Sequence, residues 1–174
     1  MSSVHGHRSE AKAPVRVAVI TVSTSRSRAA ASGSPVEDES GDLACSMVRK
    51  AGFRVVSRRL VGDDVNEIRG AVLECLRPRL ANVLLLLGGT GLSSADVTPE
   101  AVEPLLQKRL PGFGELFRYR SSLRIGPAAM MSRALAGSVD GTVIFALPGS
   151  PDGVRLALTI LLPELPHMVS ICRT

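Results

Sequence analysis

Three stretches of the chain, residues 15–22, 83–87 and 142–147, are nearly continuous runs of Val, Ile, Leu and other apolar residues. Runs this short and this uniform predict strands buried on both faces, as in a parallel sheet, not strands with one wet side. Segments with helical spacing lie between them. Leu43, Met47 and Val48 recur at helical intervals in residues 41–51, and Gly52 stops that helix. Ile68, Val72, Cys75 and Leu76 share one face of a helix over residues 65–76, ended by Pro78. Residues 53–60 predict another strand, and residues 99–109, 113–119 and 151–162 three more helices. Strands alternating with helices predict an α/β fold of three layers, a mostly parallel sheet with helices on both faces. Residues 1–13 read as a flexible polar tail and residues 14–174 as a single domain, without internal repeat or linker.

Composition narrows the partners. Aromatic residues make up only 3% of the chain, too few for a base-stacking surface, so no nucleic-acid partner is expected. The net charge is +5 and only three residues are lysine, Lys12, Lys50 and Lys108, so arginine carries most of the positive charge. Arginine forks suit phosphate and carboxylate ligands. Cys45, Cys75 and Cys172 are odd in number and far apart, which argues against a disulfide framework or a zinc site and for a reducing cytoplasm. No apolar run approaches the ~18 residues that cross a bilayer, and the first residues lack a signal-like apolar stretch, so no membrane association is expected. Residues 23–40, rich in Ser, Ala and Arg, read as a long mobile loop that orders over ligand, with Arg26 and Arg28 meeting phosphates. Phe113, Phe117 and Tyr119 crowd one short segment and read as a contact surface for a second copy of the chain.

The strongest local signal is Gly88-Gly89-Thr90-Gly91, directly after the strand at residues 83–87. Ligands of parallel α/β sheets bind beyond the carboxyl ends of strands, and glycines there let backbone N–H groups approach an anion. Thr98-Pro99-Glu100 reads as a helix start, with Thr98 as cap and Pro99 in the first position. A phosphate-binding G-x-x-x-x-G-K-[ST] loop is absent, and Gly89-x-Gly91-x-x-Ser94 fails the dinucleotide pattern at its third position. Acidic residues follow the predicted strands at three places: Asp38 and Glu39, Asp63 and Asp64, and Asp96. Taken singly, each suits a helix cap or a solvated turn. Converging beside a glycine loop, they suggest Mg²⁺, which binds through a few carboxylates, water and substrate phosphates.

Gly88-Gly89-Thr90-Gly91 followed by Asp96-Val97-Thr98-Pro99-Glu100-Ala101 resembles the signature of the molybdopterin-binding fold. Asp38-Glu39-Ser40-Gly41, Pro111-Gly112-Phe113-Gly114-Glu115, Ser132-Arg133-Ala134 and Leu147-Pro148-Gly149-Ser150 are similar to further segments of the molybdopterin adenylyltransferase family. Order and spacing agree over nearly all of residues 15–165, and the C-terminal half looks closer to the B-type (MoaB-like) members than to the MogA-like group. The resemblance implies molybdenum or tungsten cofactor biosynthesis: a nucleotidyltransferase that moves AMP from Mg-ATP to the terminal phosphate of molybdopterin. It implies Mg²⁺ as cofactor, ATP as co-substrate, a homotrimer or homohexamer, and other proteins of cofactor synthesis as partners. Asp63 and Asp96 match the family's catalytic and metal-binding aspartates. The resemblance gives nucleotide or substrate contacts to Gly88, Gly89, Thr90, Gly91, Ser40, Gly41, Pro148, Gly149 and Ser150. Two positions depart from the pattern: Ala95 replaces a common arginine, and Ser23-Thr24 replaces a frequent Ser-Asp. A catalytically silent molybdopterin-binding or scaffold protein remains the alternative. So does a nucleotide pyrophosphatase of the competence-damage type, a group that usually carries an extra domain.

Overall fold

The computed structural model describes residues 14–76 and 80–172; the tail at residues 1–13 and Pro78 lie outside them. The strands are β1 (Arg16–Val22), β2 (Arg54–Val61), β3 (Val83–Leu87), β4 (Lys108–Arg109), β5 (Leu135–Val139) and β6 (Thr142–Leu147). They form one sheet in the order β2-β1-β3-β6-β5-β4. The first four in that order are mutually parallel, and β5 and β4 add an antiparallel edge. The helices are α1 (Thr24–Ala31), α2 (Glu39–Lys50), α3 (Val65–Leu76), α4 (Thr98–Val102), α5 (Pro111–Ile125), α6 (Pro151–Leu161) and α7 (Leu165–Cys172).

Pleating divides each central strand between two cores. Val17 and Val19, Val83, Leu85 and Leu87, and Val143, Phe145 and Leu147 face a core closed by α2, α5, α6 and α7. Ala18, Ile20 and Val22, Leu84 and Leu86, and Ile144 face the opposite core, closed by α3 and α4. All five residues of β3 are buried, so the central strand has no wet face. Each fully buried Leu or Ile contributes roughly 1.5–3 kcal/mol of transfer free energy, and the sheet is sandwiched as the runs predict. Among the described residues no single helix is long and apolar enough to cross a membrane. The apolar faces of α6 and α7 are spent in the core.

Three sequence expectations change. Residues 23–40 are not one loop, because Thr24–Ala31 is helical. That helix buries none of its residues, so it carries no apolar period to read. The helix expected over residues 99–109 ends at Val102 and gives way to a short 3₁₀ turn and then to β4. Pro104 has no N–H to return to the Glu100 carbonyl, which takes a hydrogen bond from Arg69 Nη2 instead (3.0 Å). Phe113 and Phe117 lie in the core, Phe113 meeting Phe145 edge-on, and only Tyr119 of the expected aromatic surface is exposed. The hairpin β5–β6 had a sequence signal that periodicity passes over: Asp140-Gly141, both in the left-handed region (φ 48° and 76°), as a two-residue hairpin turn requires.

Candidate functional site

Parallel alignment of β1, β2, β3 and β6 brings their carboxyl ends to one edge, and a cleft of about 850 Å³ opens there. Its floor is the β3–α4 turn. Gly88 and Gly89 hold positive φ (116° and 64°), and a Cβ on Gly88 would stand 2.4 Å from the Val22 carbonyl oxygen. Side chains are therefore excluded from this turn by conformation and by space. Thr98 does not cap α4. Its hydroxyl donates to the Gly88 carbonyl (2.8 Å) and its N–H to the Gly89 carbonyl (3.0 Å), tying the helix back onto the turn. The β6–α6 loop packs against the same turn: a Cβ on Gly149 would lie 3.1 Å from Gly88 Cα. Ser150 caps α6, its Oγ accepting from Gly153 N–H (3.2 Å), and Pro151 follows in the first turn.

Asp63 and Asp96 both line this cleft, and each is held by one carboxylate oxygen. Asp63 Oδ2 accepts from the backbone N–H and the hydroxyl of Thr24 (2.7 and 2.8 Å). The Asp63 N–H donates to Thr24 Oγ1 in return (2.9 Å). Asp96 Oδ2 accepts from Ser93 N–H (2.9 Å) and lies over Gly91, where a Cβ would stand 2.8 Å from it. Neither Oδ1 has a hydrogen-bond partner among the described residues, and the Oδ1 of Asp63 faces Gly89. Two carboxylates, each offering one free oxygen beside a glycine turn, fit a hard cation that also takes substrate phosphate and water. No group of three or more His, Cys, Asp or Glu could hold a metal on protein ligands alone among the described residues.

The remaining expected site residues divide. Gly88, Gly89, Thr90, Gly91, Pro148, Gly149 and Ser150 line the cleft. Ser40 and Gly41 do not. Ser40 is buried and its hydroxyl donates to the Gly149 carbonyl (2.7 Å), so it props the β6–α6 loop from behind. Gly41 packs against the Asp38 carboxylate, its N–H donating to Oδ1 (3.0 Å). Asp38 itself is the N-cap of α2, bonded to Thr21 and paired with Arg58 (2.9 Å). Burial pushes its carboxyl up, but hydrogen bonds from Arg58, Thr21 and Gly41 outweigh that and hold it below the ordinary carboxylate value. Asp64 accepts from Asn66 and Glu67 N–H groups and caps α3. Of the acids weighed singly, then, Asp38 and Asp64 serve as caps, and Asp63 and Asp96 face the cleft.

Sequence reasoning missed several cleft residues. Phe117, Ile125, Ala128, Ala129, Met131 and Leu156 give one side of the cleft an apolar wall suited to a planar ring. Ser121, Arg124, Ser132 and Asp152 also reach the cleft. Helix α5 beyond residue 115, the 3₁₀ segment Gly126–Met131 and the body of α6 carry no local ligand motif, so of these residues only Ser132, in Ser132-Arg133-Ala134, had a signal in the sequence. Arg26, expected near phosphates, does reach the cleft, with its Nε bonded to the Glu37 carbonyl (3.0 Å). Cys45 and Cys75 are buried, and burial raises both thiols, which leaves no activated thiol nucleophile at either.

A mostly parallel sheet with a glycine turn and two aspartates at its carboxyl edge defines an α/β protein whose cleft lies where such sheets bind ligands. The chain belongs to the molybdenum cofactor biosynthesis family, matching the "Probable molybdopterin binding domain" over residues 18–167. It is 46% identical over 133 residues to the molybdenum cofactor biosynthesis protein B of Bacillus cereus, covering 75% of this chain and 79% of that one. A crystal structure of molybdenum cofactor biosynthesis protein B superposes with a TM-score of 0.83 at 40% identity, covering 94% of this chain and 99% of that one. The tungsten cofactor synthesizing protein MoaB of Pyrococcus furiosus superposes with a TM-score of 0.82 at 34% identity, covering 94% and 100%.

Proposed function

We propose that the chain acts in molybdenum or tungsten cofactor biosynthesis by adenylylating molybdopterin with Mg-ATP. The observation that carries this reading is the pair Asp63 and Asp96, each anchored through Oδ2 with Oδ1 free, on either side of the Gly88–Gly91 turn. In this reaction the terminal phosphate oxygen of the pterin bonds to the α-phosphorus of ATP. The bond from that phosphorus to the bridging oxygen breaks, and pyrophosphate leaves. Both reactants are anions, so positioning and charge neutralisation dominate the barrier. Asp63 and Asp96 are the residues that would hold Mg²⁺, which would supply the neutralising charge beside the substrate phosphates. The backbone N–H groups of Gly89, Thr90 and Gly91 are left for phosphate, since the Gly88 N–H donates to the Leu147 carbonyl (3.0 Å). The Pro148-Gly149-Ser150 loop forms the opposing rim. The apolar wall from Phe117 to Leu156 suits a pterin or adenine ring. ATP supply fits a cytoplasmic setting.

Incubation with ATP, Mg²⁺ and molybdopterin tests the reading: adenylylated pterin and pyrophosphate should appear in equal amounts. Pterin binding with no pyrophosphate at saturating Mg²⁺ would instead favour the silent-binder alternative. A homo-oligomer, trimer or hexamer, belongs to the same proposal. Leu116, Tyr119, Leu123, Ile125 and Met130 are exposed along α5 and the segment after it, a patch whose exposure to water is unfavourable. Sedimentation should show an oligomer at micromolar concentration, and Leu123→Glu should shift it toward monomer. A wild-type monomer would remove this part.

A further inference from the structure

Residues Gly91 to Asp96 form a short loop between the glycine turn and α4, and one arginine from a distant part of the chain closes it. The Arg133 N–H donates to the Thr90 carbonyl (2.9 Å). Its Nε donates to the Gly91 carbonyl (2.7 Å) and its Nη2 to the Asp96 carbonyl (2.6 Å), so one guanidinium spans both ends of the loop. Its Nη1 pairs with Glu100 Oε1 in the first turn of α4. The guanidinium therefore uses three of its donor directions on three different parts of the loop and helix start. On the loop's other side, the Asp96 carboxylate folds back over Gly91 and takes the Ser93 N–H.

We propose that Arg133 is the positioning residue for Asp96: by fixing the Gly91 and Asp96 carbonyls it fixes where the free Oδ1 of Asp96 points. The proposal rests on the adenylyl-transfer reading for its effect on turnover. Arg133 sits about one-third exposed and ties a polar loop, not the hydrophobic core, so its removal leaves the core intact. Only a planar fork serves here. A lysine ammonium is a single point on a flexible stem and cannot bond two carbonyls and a carboxylate in fixed directions at once.

The test uses the full chain as Arg133→Ala and Arg133→Lys, alone and combined with Asp96→Asn. Two readouts are taken: amide exchange of residues 91–96 without substrate, and turnover against Mg²⁺ concentration with ATP and molybdopterin. Exchange in the loop should speed up at least about tenfold in both single variants, with the rest of the sheet unchanged. Turnover in Arg133→Ala should fall about thirtyfold, with a rise of about tenfold in the Mg²⁺ needed for half-maximal rate. Added to Asp96→Asn, the same change should cost less than about threefold, since a residue acting through Asp96 has nothing left to position. Guanidinium ion should partly restore Arg133→Ala but not the double variant. Penalties that simply multiply in the double variant, or turnover within twofold of wild type, overturn the proposal. Unchanged loop exchange overturns it whatever the wild-type activity. If Arg133→Ala fails to fold, Arg133→Lys carries both readouts. A wild-type chain with no AMP transfer counts against the proposed function, and the loop exchange then decides the clamp alone.

Discussion

The two cleft aspartates present the same chemistry and are held in opposite ways. Asp63 follows β2 and is gripped by a residue 39 positions away in sequence, Thr24, through reciprocal backbone and hydroxyl bonds. The grip is direct: partner and carboxylate touch. Asp96 belongs to a loop held within itself by Ser93, whose N–H meets the Asp96 carboxylate and whose carbonyl takes the Asp96 N–H, and held from behind by Arg133. The long-range support there, from Arg133, acts on carbonyls and not on the carboxylate. The cleft thus has one carboxylate tied across the fold to Thr24 and one tied within its own loop, which Arg133 brackets at both ends.

The sharpest way to break this comparison is to remove the carboxylates themselves. Asp63→Asn and Asp96→Asn should each lower turnover more than a hundredfold, roughly 3 kcal/mol in the barrier. Both variants should retain wild-type circular dichroism, because neither side chain is in the core. A variant that keeps near wild-type turnover at saturating Mg²⁺ removes that residue from the proposed machinery. Thr24 tests the direct grip. Thr24→Ala deletes the hydroxyl shared by two of the three bonds and should lower turnover about tenfold, on the order of 1.4 kcal/mol. Thr24→Ser should restore it. A loss in Thr24→Ala that Thr24→Ser does not recover would mean that packing of α1, not the hydroxyl, holds Asp63.

Asp38 extends the comparison to an acid that never reaches the cleft. Asp38→Asn should destabilise the fold by about 1–2 kcal/mol, discounted because its partner Arg58 is well exposed. The folded Asp38 carboxyl titrates below its ordinary value, so its stabilisation is present above that value, near ~3.9, and is lost as pH falls through the folded pKa. Denaturant titrations of the wild type should therefore lose stability on acidification below about pH 4, and Asp38→Asn should flatten that slope. An unchanged acid slope would assign it to other groups. The smallest effect is expected at Ser40. Ser40→Ala removes its bond to the Gly149 carbonyl and should cost about 1 kcal/mol of stability, with turnover nearly unchanged. A large turnover loss there would return Ser40 to the ligand-contact role first expected of it.

What the sequence determined follows from short-range rules. Apolar runs at β1, β3 and β6 set a buried parallel sheet, and Gly88-Gly89 set a turn that only glycine tolerates. The residue order around Asp63 and Asp96 pointed to the two carboxylates that the fold brings to one cleft. Those features are legible because each depends on neighbours within a few positions. The helix α1 stayed hidden, since a helix with no buried face leaves no period. The division of labour among polar residues was hidden too. Asp38 and Asp63 look alike in sequence, yet one is buried against Thr21 and Arg58 while the other opens to the cleft. Ser40 and Ser150 look alike, yet one braces a loop from behind while the other caps a helix at the rim. Arg133 reaches a loop some forty residues upstream, and the apolar wall comes from α5, α6 and the turn after α5. Which hydrogen bond a polar group makes depends on what the packed sheet brings within about 3 Å of it, and only the tertiary structure sets that distance.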